Sequence, residues 1–209
     1  VQAVIDTWPW DTDPEMALKL GCTRGIDGGD GTPHGFAMGM QVGEDTRRKR
    51  RDGVAAVTLE RGYAPDLKER APWLLLSAKT LSYAVNMAAM REAEARGAEE
   101  VIFTATDGSV LEGPTSTVVI AQGKTLLTTP PSSGILQGTT QGALFRAAER
   151  AGWRTEVSKF PASSLFEADG VWMCSSVRLV TQVHTIDGTT VKTDPDLHTE
   201  LTDLYESNY

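Results

Sequence analysis

Ser133-Gly134-Ile135-Leu136-Gln137-Gly138-Thr139-Thr140 is a glycine turn that runs directly into an apolar helical pattern. Gly138 lets the backbone approach an anion closely, and the first N–H groups of a helix have no partner within it. The hydroxyls of Thr139 and Thr140 have two readings, as caps of that helix or as ligands of the same anion. Upstream, Glu112 closes Asp107-Gly108-Ser109-Val110-Leu111-Glu112 at a strand end, just before Gly113-Pro114. Lys79 lies 33 residues before that carboxylate, in Ser77-Ala78-Lys79-Thr80-Leu81-Ser82-Tyr83, immediately ahead of a helical pattern.

Each part alone has a bland reading: a snorkelling lysine, an exposed glutamate, a capped helix. In this order they meet three needs of pyridoxal 5'-phosphate: an amine for its aldehyde, an anion beside its ring nitrogen, and backbone donors for its phosphate. The apolar run Trp73-Leu74-Leu75-Leu76 predicts an amine at Lys79 partly shielded from water, which favours the neutral nucleophile. Tyr83, one turn on, is within reach of the ring oxygen or of the core. Ser175-Ser176, at the end of Val171-Trp172-Met173-Cys174, offers hydroxyl donors from the other side of a phosphate.

Strand and helix signals interleave around these motifs. Residues 17–24 and Val54–Leu59 read as strands, and a loop rich in Gly, Asp and Pro runs from Gly25 to Gly35. Leu81, Ala84, Val85, Ala88 and Ala95 define one helical face, stopped by Gly97. Val101–Phe103 is a buried strand leading to an Asp107-Gly108 hairpin turn. Strands are predicted at Thr117–Ala121, Thr125–Thr128, Arg154–Lys159 and Gly170–Cys174, and helices over 139–151 and 196–207. Strands outnumber helices, which predicts a mixed α/β (α+β) enzyme fold rather than a sandwich. The charged stretch around Pro65 and Pro72 reads as an interdomain linker over 66–73, dividing 1–65 from 74–209.

Composition excludes several classes. With 40% hydrophobic and 23% charged residues the chain is an ordinary globular protein, long enough to bury roughly 70% of its unfolded surface. A net charge of −8 argues against a nucleic-acid or anionic-membrane partner. Arg47-Arg48-Lys49-Arg50-Arg51 has no interleaved aromatic and reads as a solvated face; a further reading turns one of its arginines toward an anionic substrate. Cys22 and Cys174 lack metal-site spacing and predict reduced thiols in a cytoplasmic protein, and the three histidines form no metal cluster. No signal peptide or membrane-length apolar run is visible. The sequence starts at Val1 in what reads as the interior of a helix, before a Trp8-Pro9-Trp10 turn, and the expectation is that a segment precedes it.

From about Leu18 to Val191 the chain resembles the fold-type IV pyridoxal-phosphate enzymes, the class IV aminotransferase family. That family includes branched-chain and D-amino-acid aminotransferases and aminodeoxychorismate lyase, and the last is the nearest in pattern. The resemblance rests on Lys79–Tyr83, Gly108–Glu112, Thr129-Pro130, Gly134–Thr140 and Ser175-Ser176 through Val180-Thr181. It implies Lys79 as the Schiff-base lysine, Glu112 as partner of the ring nitrogen, and Leu136, Thr139, Thr140 and Ser176 around the phosphate. It further implies a small N-terminal and a large C-terminal domain, a small-molecule amino substrate, and a homodimer sharing its sites. Two departures stand out. The family's phosphate-binding arginine belongs to strands that would lie upstream of Val1, which leaves the small domain incomplete. Ser116-Thr117-Val118 stand where Asn and Phe are frequent, and Gln141 stands where Arg is usual.

All members begin by moving a substrate proton through the lysine, so the shared motif leaves the reaction open. Arg178 follows Ser175-Ser176-Val177 at a strand end and reads either as a carboxylate clamp for a dianionic substrate or as a surface arginine. The expected activity is aminodeoxychorismate lyase, with a branched-chain or D-amino-acid aminotransferase as the alternative and a cofactor-free, non-catalytic relative as the third.

Overall fold

Glycine-punctuated turns cut the chain into short elements, and a computed structural model describes residues Val1–Ser207 in two compact units, Val1–Arg47 and Arg48 onward. In the first unit Gln2–Thr7 (α1) leads to the expected Trp-Pro-Trp turn. Trp8 Nε1 donates to the Asp13 carbonyl and Trp10 Nε1 to that of Ile5, each at 2.9 Å. Met16–Thr23 (β1) and His34–Gln41 (β2) form an antiparallel hairpin. The sequence did not reveal β2, because Gly35 and Gly39 dilute its alternation and most of its side chains stay exposed.

Glu44–Asp52 (α2) carries the basic run as a helix, with acids in its first turn and Lys49, Arg50 and Arg51 in its last, matching the helix dipole. Its side chains are engaged: Arg47 pairs with Asp13 and Glu15, and Arg48 with Glu99. Val54–Glu60 (β3) follows, then one helical turn at Leu67–Arg70 (α3), a 3-10 turn at Pro72–Leu74, and Ala84–Ala95 (α4). Beyond these come Glu100–Thr104 (β4), Thr117–Gln122 (β5), Thr125–Thr128 (β6) and Thr139–Arg150 (α5). Arg154–Val157 (β7), Ser164–Glu167 (α6), Gly170–Ser175 (β8), Leu179–Ile186 (β9), Thr189–Thr190 (β10) and Pro195–Glu206 (α7) complete the order.

The second unit is built on an eight-stranded mixed sheet in the order β4-β3-β9-β8-β5-β6-β7, with β10 on β9. β3 runs parallel to both β4 and β9, so the segment predicted as a linker at 66–73 falls inside this unit. The sheet is buried on both faces. Along β5, Val118 and Ile120 join one cluster with Ile102, Met173 and Ile186, while Val119 and Ala121 join another with Leu144, Trp172, Leu201 and Tyr205.

One helix turns a face the sequence did not predict. Along α4, Ala89 and Ala93 are buried, with Met90 packed beside them, whereas Leu81 ahead of the helix is 73% exposed and Val85 is 62% exposed. Ala84, Ala88 and Ala95 are exposed as well. Two apolar stripes compete on this alanine-rich helix. The small residues win the sheet because Ala89 and Ala93 allow a closer approach to Val101 and Phe103.

Candidate active site

The ends of β3, β8 and the β4 hairpin meet around a cavity of about 460 Å³, lined among others by Arg61, Lys79, Tyr83, Glu112, Gly138 and Ser176. The crevice beyond strand ends is the usual ligand position in sheets with parallel strands. Leu136, Thr139, Thr140 and Ser175 also line it, so nine residues singled out in four separate segments converge on one space.

Glu112 is delivered by the turn at Asp107-Gly108, where Thr104 bridges to Val110 and Phe103 N–H donates to the Glu112 carbonyl at 2.9 Å. Its carboxylate is held at both oxygens. Arg61 Nη1 donates to Oε1 at 3.1 Å, and the Leu136 N–H donates to Oε2 at 3.0 Å. Burial pushes this carboxyl above its ordinary value, while the Leu136 N–H, Arg61 and the charge of Lys79 pull the other way. By linkage, a raised carboxyl contributes stability that is fully present below pH 4.5 and is lost as pH rises through the folded value. Leu136, which the resemblance put beside the phosphate, therefore makes its backbone contact at the carboxylate.

Arg61 is the residue that sequence reasoning missed. Its guanidinium also lies over the rings of Phe103 and Tyr63, at 5.3 and 5.9 Å from their centroids. The available signal was its place one residue past a parallel strand, in Glu60-Arg61-Gly62.

Lys79 Nζ lies 3.0 Å from Tyr83 Oη, in the segment ahead of α4. The expected shielding is not found. Lys79 is exposed, and Trp73, 74% exposed, with Leu74 and Leu75, also exposed, leaves the amine open to solvent. The run expected to shield Lys79 leaves Trp73, Leu74 and Leu75 as exposed apolar surface beside it.

Gly138 is the N-cap of α5, with no side-chain cap bond. The N-cap position thus belongs to Gly138 and not to Thr139 or Thr140, and all three line the cavity, where the first N–H groups of a helix have no partner within it. A Cβ on Gly138 would stand 2.2 Å from Thr117 Oγ1, on buried β5, so the glycine is required for space and not for its dihedral angles. Gly138→Ala is therefore expected to lower the thermal midpoint through an overpacking cost of about 1–3 kcal/mol. Adding Thr117→Ala should recover most of that loss; a midpoint in the double variant no higher than in the single one would show that the contact is not the cause.

Cys174 also lines the cavity, but burial pushes its thiol up to about 12, which makes it a spacer and not a nucleophile. Arg178 is not brought to the cavity wall. Its guanidinium pairs with Glu100, whose side chain is fully buried, and its Nη2 donates to Thr115 Oγ1 at 3.2 Å.

Comparison with known proteins follows the same lines. The family model for amino-transferase class IV matches residues 11–186. A bifunctional aminodeoxychorismate lyase / D-amino acid transaminase of Mycobacterium tuberculosis is 45% identical over 97% of this chain and 73% of its own length. A hypothetical aminotransferase of Mycobacterium tuberculosis, solved with alpha-ketoglutarate and PMP, superposes with a TM-score of 0.93 at 44% identity, over all of this chain and 75% of that one. A PLP-bound form superposes with a TM-score of 0.88 at 45% identity, over 93% of this chain and 69% of that one.

Proposed function

Because the chain belongs to the class IV aminotransferase family, we propose that it is a pyridoxal 5'-phosphate enzyme whose principal reaction is that of an aminodeoxychorismate lyase. It converts 4-amino-4-deoxychorismate to 4-aminobenzoate and pyruvate. The observation that carries this reading is the convergence of Lys79, Glu112 and the Gly138 helix start on one cavity. The residues fit the group: an exposed primary amine, a carboxylate held at both oxygens by two donors, and a helix N-terminus whose N-cap is a glycine with no side chain.

In this reading Lys79 forms the covalent link to the cofactor aldehyde, and Tyr83 hydrogen-bonds the ring oxygen beside it. Gly138, Thr139 and Thr140 hold the phosphate through backbone and hydroxyl donors, with Ser175 and Ser176 across from them. The bound cofactor supplies an electron sink conjugated with the substrate amine. Glu112 keeps a proton on the ring nitrogen, and Arg61 keeps Glu112 charged for that task. Lys79, released when the substrate amine takes its place, removes the proton from the substrate carbon bearing that amine. In the lyase reaction the enolpyruvyl C–O bond then breaks, the ring becomes aromatic, and the departing enolate takes up a proton to become pyruvate.

A D-amino-acid transaminase is the second reading, favoured by the bifunctional relative at 45% identity. There Lys79 would instead hand the proton back toward the bound group, and a 2-oxo acid would collect the amino group. The same proposal includes a cytoplasmic enzyme and a homodimer. The uncovered surface of Trp73, Leu74, Leu75, Leu81 and Val85 beside the exposed Lys79 supports a second copy closing that side.

Incubating the protein with cofactor and 4-amino-4-deoxychorismate, without any 2-oxo acid, is expected to release 4-aminobenzoate and pyruvate in equal amounts. Amino-group exchange from a D-amino acid to 2-oxoglutarate, with no 4-aminobenzoate formed, would sink the lyase reading and leave the transaminase one.

A further inference from the structure

Behind the cavity wall lies an ion pair that the chemistry above does not use. Glu100 opens β4 and is 0% exposed, a position a lone carboxylate would not occupy without a partner. Arg178 supplies that partner and reaches Thr115 Oγ1 with its other Nη, at 3.2 Å. On the opposite carboxylate oxygen, Ser116 Oγ approaches to 3.5 Å.

Arg178 belongs to the Ser175–Leu179 turn between β8 and β9, whose ends pair as Ser175 with Leu179. The turn is tied from several sides. The Arg178 N–H donates to Ser175 Oγ at 3.2 Å, and Thr181 Oγ1 donates to the Arg178 carbonyl at 2.7 Å. Arg50 Nε, from α2, donates to the Val177 carbonyl at 2.9 Å. Leu179 is held at φ 57°, a left-handed conformation that a leucine keeps only where its surroundings enforce it. Because Ser175 Oγ accepts from the Arg178 N–H, its own proton is free to be donated elsewhere.

We infer that the Glu100–Arg178 pair is a positioning device: it locks the Ser175–Leu179 turn to the Thr115–Ser116 segment, and so fixes the Ser175 and Ser176 hydroxyls on the cavity wall for an anionic group. A buried pair of this kind contributes little net stability, and its value lies in allowing one arrangement of the segments it joins. Arg178 thus acts on the ligand through the turn that carries it. The inference rests on the proposed cofactor, because the anion in question is the phosphate held opposite Gly138.

The test compares pyridoxal 5'-phosphate with pyridoxal, which lacks the phosphate, by absorbance titration of the full chain. The wild type, Glu100→Gln, Arg178→Met and Arg178→Lys proteins are each titrated well below their thermal midpoints. Wild type is expected to bind the phosphorylated form more tightly. Glu100→Gln and Arg178→Met should raise its dissociation constant roughly tenfold to a hundredfold, as removal of a residue supporting a ligand typically does, with pyridoxal binding changed by less than about threefold. Arg178→Lys retains the charge but lacks the forked donor for Thr115, and should fall between the two. Equal weakening of both ligands would reduce the pair to a general stabiliser and overturn the inference, as would unchanged affinity for the phosphorylated form. If Glu100→Gln and Arg178→Met do not fold, the ratio of the two affinities in Arg178→Lys decides alone. Wild type that binds neither ligand would instead overturn the proposed cofactor.

Discussion

Lys79→Ala protein is expected to bind pyridoxal 5'-phosphate without the absorbance of a lysine-linked cofactor and to lose turnover by at least about 10³-fold. Two roles vanish together. In the proposed reaction the amine is both the covalent anchor and the group that carries the substrate proton, and acid–base catalysis alone contributes roughly 10²–10⁴-fold. Among the described residues that line the cavity Lys79 is the one lysine, and its neighbour Tyr83 Oη, 3.0 Å from Nζ, is a hydroxyl that cannot form the same covalent link. Methylamine or another small amine supplied in solution should restore part of the activity, because the hole left by the side chain opens to solvent. Lys79→Ala protein with wild-type turnover would remove Lys79 from the chemistry altogether.

Glu112→Gln should leave the cofactor attached and lower turnover by about 10²–10³-fold, the range found when one preorganised electrostatic partner is removed. Glutamine can still accept one hydrogen bond, from Arg61 or from the Leu136 N–H, so the wall stays in place while the negative charge is lost. The pH profile offers a second readout. Burial raises the Glu112 carboxyl, and Arg61 is one of the influences that lower it, so Arg61→Met should raise it further. The acidic limb of the activity profile is then expected to move to higher pH in Arg61→Met. A limb that stays in place, or moves to lower pH, would show that the Arg61–Glu112 pair is not what keeps the carboxylate charged.

The ordered motifs were legible because their chemistry is local. Lys79 ahead of a helix, Glu112 beyond the Asp107-Gly108 turn and Gly138 at a helix start each depend on a few neighbours along the chain, and the structure sets Lys79 ahead of α4 and Gly138 at the start of α5. The helix over 139–151 and the strands from Thr117 to Cys174 were equally clear, since long apolar runs flanked by glycine turns leave few alternatives. Features that depend on long-range partners were not legible. Whether α4 would bury Leu81 and Val85 or Ala89 and Ala93 depended on how closely the sheet approaches, and the Trp73–Leu76 run was expected to shield Lys79 although Trp73, Leu74 and Leu75 are exposed.

Sequence alone therefore determined the family pattern and the mixed α/β class, and it supplied the groups proposed here to meet a phosphate, an aldehyde and a ring nitrogen. Only the tertiary structure showed that Arg61, just past β3, completes the Glu112 carboxylate across 51 residues of chain, and that Arg178 pairs with the buried Glu100, 78 residues upstream. A buried carboxylate must find a cation or hydrogen-bond donors wherever the fold brings one near, and no local pattern along the chain records which one it will be.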